Sequence, residues 1–260
     1  MKKPILLIKL GGSSITDKSV PYKVRKDVIR RLAKEIKRAG NNCSYIISHG
    51  SGSFGHTSAS KYGGRKGYES KIGIAIVSAD AARLNQIVTD IFVEEGLPAV
   101  SLSPMSMILA ENGSLIDHFF VVIEETIKQG LIPIVYGDVI WDRKWNSTIF
   151  SGEKTLNLIA HYLLRKNSTI DRVIQVGETD GLVDKSGKTI YKITEKNWGN
   201  LKSNIFATSN LDVTGGMTHK VEEALKLAKK GIETILISDM KNSLLNAIMR
   251  KQAGGTIIGL

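Results

Sequence analysis

The chain has 260 residues, 42% of them hydrophobic and 23% charged, and a formal net charge of +11. That length allows a large core in one domain or two intimate lobes, and the composition is that of a soluble globular protein. A single cysteine, Cys43, excludes a disulfide framework and a cysteine metal site. The apolar run 5–8 behind Lys2-Lys3 is too short for a membrane span or a secretory leader, which predicts a cytoplasmic protein with no membrane partner. The positive charge is spread along the chain, aromatic residues are few and no nucleic-acid-binding motif is present. Small anionic substrates are therefore favoured over nucleic acid.

Residues 5–10 read as a first buried strand, ended by the small-residue turn Gly11-Gly12-Ser13-Ser14. Lys9 lies inside that apolar run; a buried ammonium needs an anionic partner, whereas a lysine at the strand's end can snorkel to water. Lys18 follows beyond the turn. The apolar spacing of Val24, Val28, Ile29, Leu32, Ala33 and Ile36 predicts a helix, stopped by Gly40-Asn41-Asn42.

A second strand over 44–48 runs into His49-Gly50-Ser51-Gly52-Ser53-Phe54-Gly55-His56. Gly50, Gly52 and Gly55 satisfy the dinucleotide pattern G-x-G-x-x-G, but no acid ends a second strand about 20 residues later; Glu69 follows no strand-like run. Gly50 to Thr57 also fits the P-loop pattern except that His56 stands in place of its lysine, so the fixed positive charge is missing. What remains is a glycine loop whose N–H groups can converge on a phosphate, closed by a titratable donor, or else a plain tight turn.

Residues 57–71 are rich in Gly, Ser, Lys and Arg and predict a mobile segment, either a lid or a solvated loop. A helix over 72–95 is apolar nearly all round in its first half, as deep core or the wall of an apolar pocket would be. Next come a strand over 99–102, a hairpin signal at Asn112-Gly113, a helix over 119–129 and a strand over 131–136. That strand ends in Gly137-Asp138, at the carboxyl end where open α/β sheets bind ligands. A small hairpin over 141–149, a helix over 155–165 and a strand over 172–176 follow, the last leading into Gly177-Glu178-Thr179-Asp180-Gly181. The third glycine turn, Gly215-Gly216, opens a helix. Lys220 in its first turn opposes the helix dipole, which a bound anion would compensate. A strand over 233–238, a helix over 243–250 and a strand over 255–259 complete an α/β pattern.

Three glycine turns thus accompany Lys9, Lys18, Lys220 and His56. No Cys/His cluster has metal spacing, and Ser51 and Ser53 lack the context of a nucleophile elbow. Phosphoryl transfer needs positioning and positive charge rather than covalent chemistry, so these groups suit a kinase better than a hydrolase or dehydrogenase.

The segments Lys9-Leu10-Gly11-Gly12-Ser13, His49-Gly50-x-Gly52-x-Phe54-Gly55-His56, Tyr136-Gly137-Asp138, Ser151-Gly152, Asp180-Gly181 and Asp212-Val213-Thr214-Gly215-Gly216-Met217-x-x-Lys220 resemble the amino-acid kinase superfamily. Within it, Gly-x-Phe-Gly-His and Ile15-Thr16-Asp17-Lys18 resemble the isopentenyl phosphate kinases. The resemblance implies a three-layer αβα sandwich with a mainly parallel central sheet, a single domain over 1–260 with an acceptor lobe over about 1–170 and a nucleotide lobe over 171–260, and a homodimer. It implies ATP with Mg²⁺ and isopentenyl phosphate as the acceptor, in isoprenoid biosynthesis of the mevalonate type. Carried over by position, Lys9, Gly11, Gly12, Ser13, Ser51, Glu178, Asp180, Gly215, Gly216 and Lys220 hold ATP. Lys18 neutralises charge near the transferring group, and Gly50, Gly55, His56 and Gly152 hold the acceptor phosphate. His56, Lys9, Lys18 and Lys220 form the catalytic set. The chain departs from the family pattern at Glu153-Lys154, where two aspartates are usual, and at Glu178. A kinase of the same fold with a phosphonate or other alkyl phosphate as acceptor, and a nucleotide-binding sensor without catalysis, are the competing readings.

Overall fold

The structure is a computed structural model that describes residues 3–63, 67–68, 70–202 and 216–260. Its elements in chain order are β1 (Ile5–Leu10), α1 (Gly12–Ile15), α2 (Lys26–Ala39), β2 (Ser44–His49), α3 (Gly52–Tyr62), α4 (Lys71–Glu94), β3 (Ala99–Ser101), α5 (Pro104–Met107), β4 (Ile108–Glu111), β5 (Ser114–His118) and α6 (Val121–Lys128). They continue with β6 (Ile132–Tyr136), β7 (Asp138–Asp142), β8 (Asn146–Phe150), α7 (Gly152–Arg165), β9 (Ile170–Gly177), β10 (Lys192–Ile193), α8 (Glu195–Lys202), α9 (Gly216–Ala228), β11 (Glu233–Ser238), α10 (Ser243–Ile248) and β12 (Thr256–Ile258).

Eight strands form one sheet in the order β10-β12-β11-β9-β1-β2-β6-β3. Its pairs are parallel except β11 with β12. The central strands are apolar on both faces, as a sheet covered by helices on each side requires. In β1 the alternation is direct: Leu6, Ile8 and Leu10 join the core under α2, α4 and α10, while Ile5 and Leu7 join the core under α6 and α7. The expected three-layer αβα arrangement is therefore present. Lys9 shares the face of Ile5 and Leu7 and sits at the carboxyl end of the strand, where α7 begins.

A second sheet, β5-β4-β7-β8, stands beside the first. The hairpin expected at Asn112-Gly113 joins β4 and β5, with φ of 49° and 74° at the two turn residues. Positive φ at both positions is what a two-residue hairpin turn of this hand demands. The hairpin expected over 141–149 is β7 and β8.

Three expectations change. Residues 57–62, read as the start of a mobile segment, are the body of α3, which begins inside the glycine loop at Gly52. Glycine has low helix propensity, so the spacing of Gly50, Gly52 and Gly55 hid this helix; tertiary contacts to α1 decide it. Gly11-Gly12-Ser13-Ser14 opens the short helix α1 rather than a simple turn. The apolar first half of α4 is not uniformly core: Ile72 is 63% exposed, while Val77 and Ala81 are buried. Of the third glycine turn, Gly216 begins α9, and Gly215 lies outside the described residues.

Candidate active site

A cavity of about 210 Å³ opens at the carboxyl ends of β1, β2, β6, β9 and β11, where an open α/β sheet binds its ligands. Lys9, Lys18, Lys220 and His56, which are distant in sequence, all line it. Gly11, Gly12 and Ser13 from the first turn, Gly50, Ser51 and Gly55 from the second, and Gly152 from the start of α7 line it as well. Its apolar end is formed by Ala59, Val77, Ala81, Ile149 and Phe150.

The two glycine turns meet backbone to backbone. A Cβ on Gly12 would lie 2.8 Å from the nitrogen of Gly52, so no side chain fits between them. Thr16, fully buried, joins the turns: its hydroxyl donates to Gly12 O at 2.7 Å and accepts from the N–H of Ser53 at 2.8 Å. The third wall is the N-terminus of α7. A Cβ on Gly152 would run into the carbonyl of His49, and Ser48 Oγ donates to Gly152 O at 2.7 Å. These contacts bring three sets of backbone N–H groups to one place, which favours an anion. His49 lies beneath, stacked on Tyr136, with Nδ1 2.9 Å from Gly50 O. Complete burial pushes its pKa down, and the ring, also 3.1 Å from Asn85 Oδ1, braces the loop.

Lys9 finds the anionic partner its burial requires. Its Nζ is 3.2 Å from Glu153 Oε2, and the two side chains are 13% and 10% exposed. Glu153 Oε1 is buried without a hydrogen bond among the described residues. The neighbouring departure from the family pattern, Lys154, takes no part in this cavity. Its Nζ donates to Gly113 O at 2.6 Å and lies 3.7 Å from the centre of the Phe150 ring, and burial pushes its pKa down.

Glu178 and Asp180 do not line the cavity; their neighbours Gly177, Thr179 and Gly181 do. The Glu178 carboxylate pairs instead with Arg25 at 3.1 Å. Asp138, Gln175 and Thr16 were not singled out as functional by sequence reasoning, although Asp138 and Gln175 line the cavity. A signal for Asp138 existed in Gly137-Asp138 at a strand's carboxyl end. Asp138 is 2% exposed, its Oδ1 accepts from the N–H of Val139 at 2.8 Å, and among the described residues Oδ2 has no hydrogen-bond partner of good geometry. Burial pushes its carboxyl up to about 6 against the opposing effect of Val139, Ser78 and the Met105 N–H.

Comparison with known proteins places this geometry. The amino acid kinase family matches over residues 4–238. An isopentenyl phosphate kinase of Methanothermobacter thermautotrophicus is 33% identical over 274 residues, covering 98% of this chain and 98% of that protein. A solved X-ray structure of isopentenyl phosphate kinase superposes with a TM-score of 0.80 at 29% identity, covering 98% of this chain and 100% of that one. An isopentenyl phosphate kinase solved as a substrate complex gives a TM-score of 0.76 at 25% identity, covering 97% and 99%. The chain belongs to the amino acid kinase family, in its isopentenyl phosphate kinase branch.

Proposed function

We propose that this protein transfers the γ-phosphoryl group of ATP to the phosphate of isopentenyl phosphate, giving isopentenyl diphosphate and ADP. The supporting observation is the single cavity that joins Lys9, Lys18, Lys220 and His56 to an apolar end lined by Ala59, Val77, Ala81, Ile149 and Phe150. A phosphorylated hydrocarbon of five carbons matches that division into charged and apolar ends.

An acceptor phosphate oxygen attacks the γ-phosphorus, the bond from that phosphorus to the bridging oxygen breaks, and its electron pair leaves on ADP. The acceptor is already an anion, so no general base is required. His56 donates a hydrogen bond to the acceptor phosphate, with the N–H groups around Gly50 and Gly55 and the α7 N-terminus at Gly152 beside it. Lys9, held by Glu153, and Lys220 bind the ATP phosphates together with Gly11, Gly12, Ser13, Ser51 and Gly216. Lys18 neutralises charge that builds near the transferring group. In this reading residues 1–170 form the acceptor lobe and 171–260 the nucleotide lobe.

Mg²⁺ fits as a companion of the nucleotide. Among the described residues no group of three or more His, Cys, Asp or Glu side chains is placed to hold a metal, so the ion would ride on the ATP phosphates. The unpartnered Glu153 Oε1 beside Lys9 would be available as an acceptor toward the hydrated ion. When bound, the ion neutralises charge on the β- and γ-phosphates. A homodimer in the cytoplasm, serving isoprenoid synthesis of the mevalonate type, completes the proposal.

The test is a panel of acceptors with ATP and Mg²⁺: isopentenyl phosphate, shorter and longer alkyl phosphates, and a phosphonate. ADP release gives the rates and phosphorus NMR the product. The expected result is a diphosphate ester formed with the highest kcat/KM from isopentenyl phosphate. A higher value for the phosphonate, or ADP release no faster than without acceptor, overturns it.

A further inference from the structure

Lys18 sits on a turn that is bonded mainly to itself. Thr16 pairs with Val24, the Asp17 N–H donates to Lys23 O at 2.9 Å, and the Asp17 carboxylate takes the Ser19 N–H at 3.0 Å and Lys23 Nζ at 3.0 Å. Such a turn is rigid inside but holds Lys18 over the cavity only if something fixes it to the helices. The Thr16 hydroxyl ties the base of the turn to α1 and α3; beyond that base, over residues 17–23, the hydrogen bond to the helical layer among the described residues comes from Tyr22. Its phenol donates to Asp80 Oδ2 on α4 at 3.1 Å, and its ring meets the Phe54 ring of α3 edge-on, with centroids 5.4 Å apart. Asp80 is itself fixed: it is 4% exposed, and its other oxygen is 2.8 Å from Arg83.

Tyr22 also has a φ of 59°, in the left-handed region. A bulky residue is rare there, and such strain persists only where the surroundings over-determine it. The helices that receive the tyrosine are those that build the acceptor end of the cavity: Phe54 is two residues from His56, and Asp80 stands next to Ala81. The anchor therefore sets Lys18 against the same two helices that carry His56 and the apolar wall.

We propose that Tyr22, through Asp80, is a positioning residue that holds Lys18 at the point of phosphoryl transfer. The inference rests on the reading of Lys18 as a charge-neutralising group. A shift of about 1 Å in a positioning group can lower a rate about 100-fold; loss of one hydroxyl from an otherwise intact anchor is a smaller disturbance.

The experiment compares Tyr22→Phe, Lys18→Met and the double variant in the full-length protein, measuring kcat, both KM values and Tm. Tyr22→Phe keeps the ring and its contact with Phe54. It is expected to lower kcat about 5- to 20-fold with both KM values within about twofold. In the Lys18→Met background the same change is expected to lower kcat by less than twofold, because the group it positions is gone. Asp80→Asn is a second probe of the same hydrogen bond and should follow the same pattern. Losses that multiply in the double variant, or a kcat that falls only in step with Tm, would mark a merely structural tyrosine and overturn the proposal. So would normal turnover by Tyr22→Phe. Normal turnover by Lys18→Met would instead remove the reading of Lys18, and the inference with it.

Discussion

Lys9 Nζ and Glu153 Oε2 stand 3.2 Å apart between β1 and the first turn of α7, nearly out of contact with solvent. The pair joins the strand that ends in the first glycine turn to the helix that begins at Gly152. Glu153→Gln leaves a nearly buried ammonium without its counter-charge, which costs about 3 kcal/mol where the pair is well desolvated. The expected outcome is a lower Tm and a kcat reduced about 100-fold or more as Lys9 loses its position. Thermal melts and steady-state rates check both. A chain that only binds nucleotide would show the lower Tm with no ADP release in either protein, which separates the sensor reading from catalysis.

His56 and Lys220 line the same cavity but are assigned to different partners. His56→Ala should lower kcat about 100-fold, as loss of one oxyanion donor does. Lys220→Ala should raise the KM for ATP and leave the KM for the acceptor unchanged. Initial rates with each substrate varied in turn distinguish the two. Equal effects on both Michaelis constants from either variant would contradict the division of roles.

The sequence carried the strands and turns of this site because their signals are local. The run 5–10 is apolar enough to be a buried strand by itself, and Asn112-Gly113 demands its own positive φ. Lys9 was legible as a paired cation because an ammonium inside an apolar strand needs an anion, although Glu153 lies 144 positions away. Thr16 was not legible: its hydroxyl matters because it touches Gly12 and Ser53 at once, and no pattern along the chain records that. The beginning of α3 at Gly52 was hidden for the same reason, since contacts with α1 override the low propensity of its glycines. Lys154, which stands where the family pattern has an aspartate, turns its ammonium to Gly113 O and the Phe150 ring. Which way a long side chain swings depends on the β4–β5 turn, which is distant in sequence.

Thr16→Val tests the join between the two glycine turns. Valine is close in volume but has no hydroxyl, so the Ser53 N–H would lose its acceptor in a buried place. An unsatisfied buried donor costs about 1–3 kcal/mol. The expected outcome is a lower Tm together with a kcat/KM reduced about tenfold or more, because the turns no longer hold a fixed separation. Thr16→Ser keeps the hydroxyl and should restore most of both. A Thr16→Val protein with normal kcat/KM would show that the turns are held by glycine packing alone.

Asp138 gives a dependence of stability on pH with a definite sign. Burial raises its carboxyl from 3.8 to about 6, so the folded state binds a proton more tightly than the unfolded chain does. Its contribution to stability is fully present below about pH 3.8 and is lost as pH rises through about 6. A difference of about two pKa units corresponds to about 3 kcal/mol. Asp138→Asn cannot ionise and escapes this loss. Relative to the native protein it should therefore gain Tm as pH rises from about 4 to about 8, with most of the gain between about pH 4 and about pH 6, the interval between the unfolded and folded values. Melting both proteins across that range is the measurement. A constant Tm difference would mean that the native carboxylate keeps its charge without penalty, its burial offset by Val139, Ser78 and the Met105 N–H.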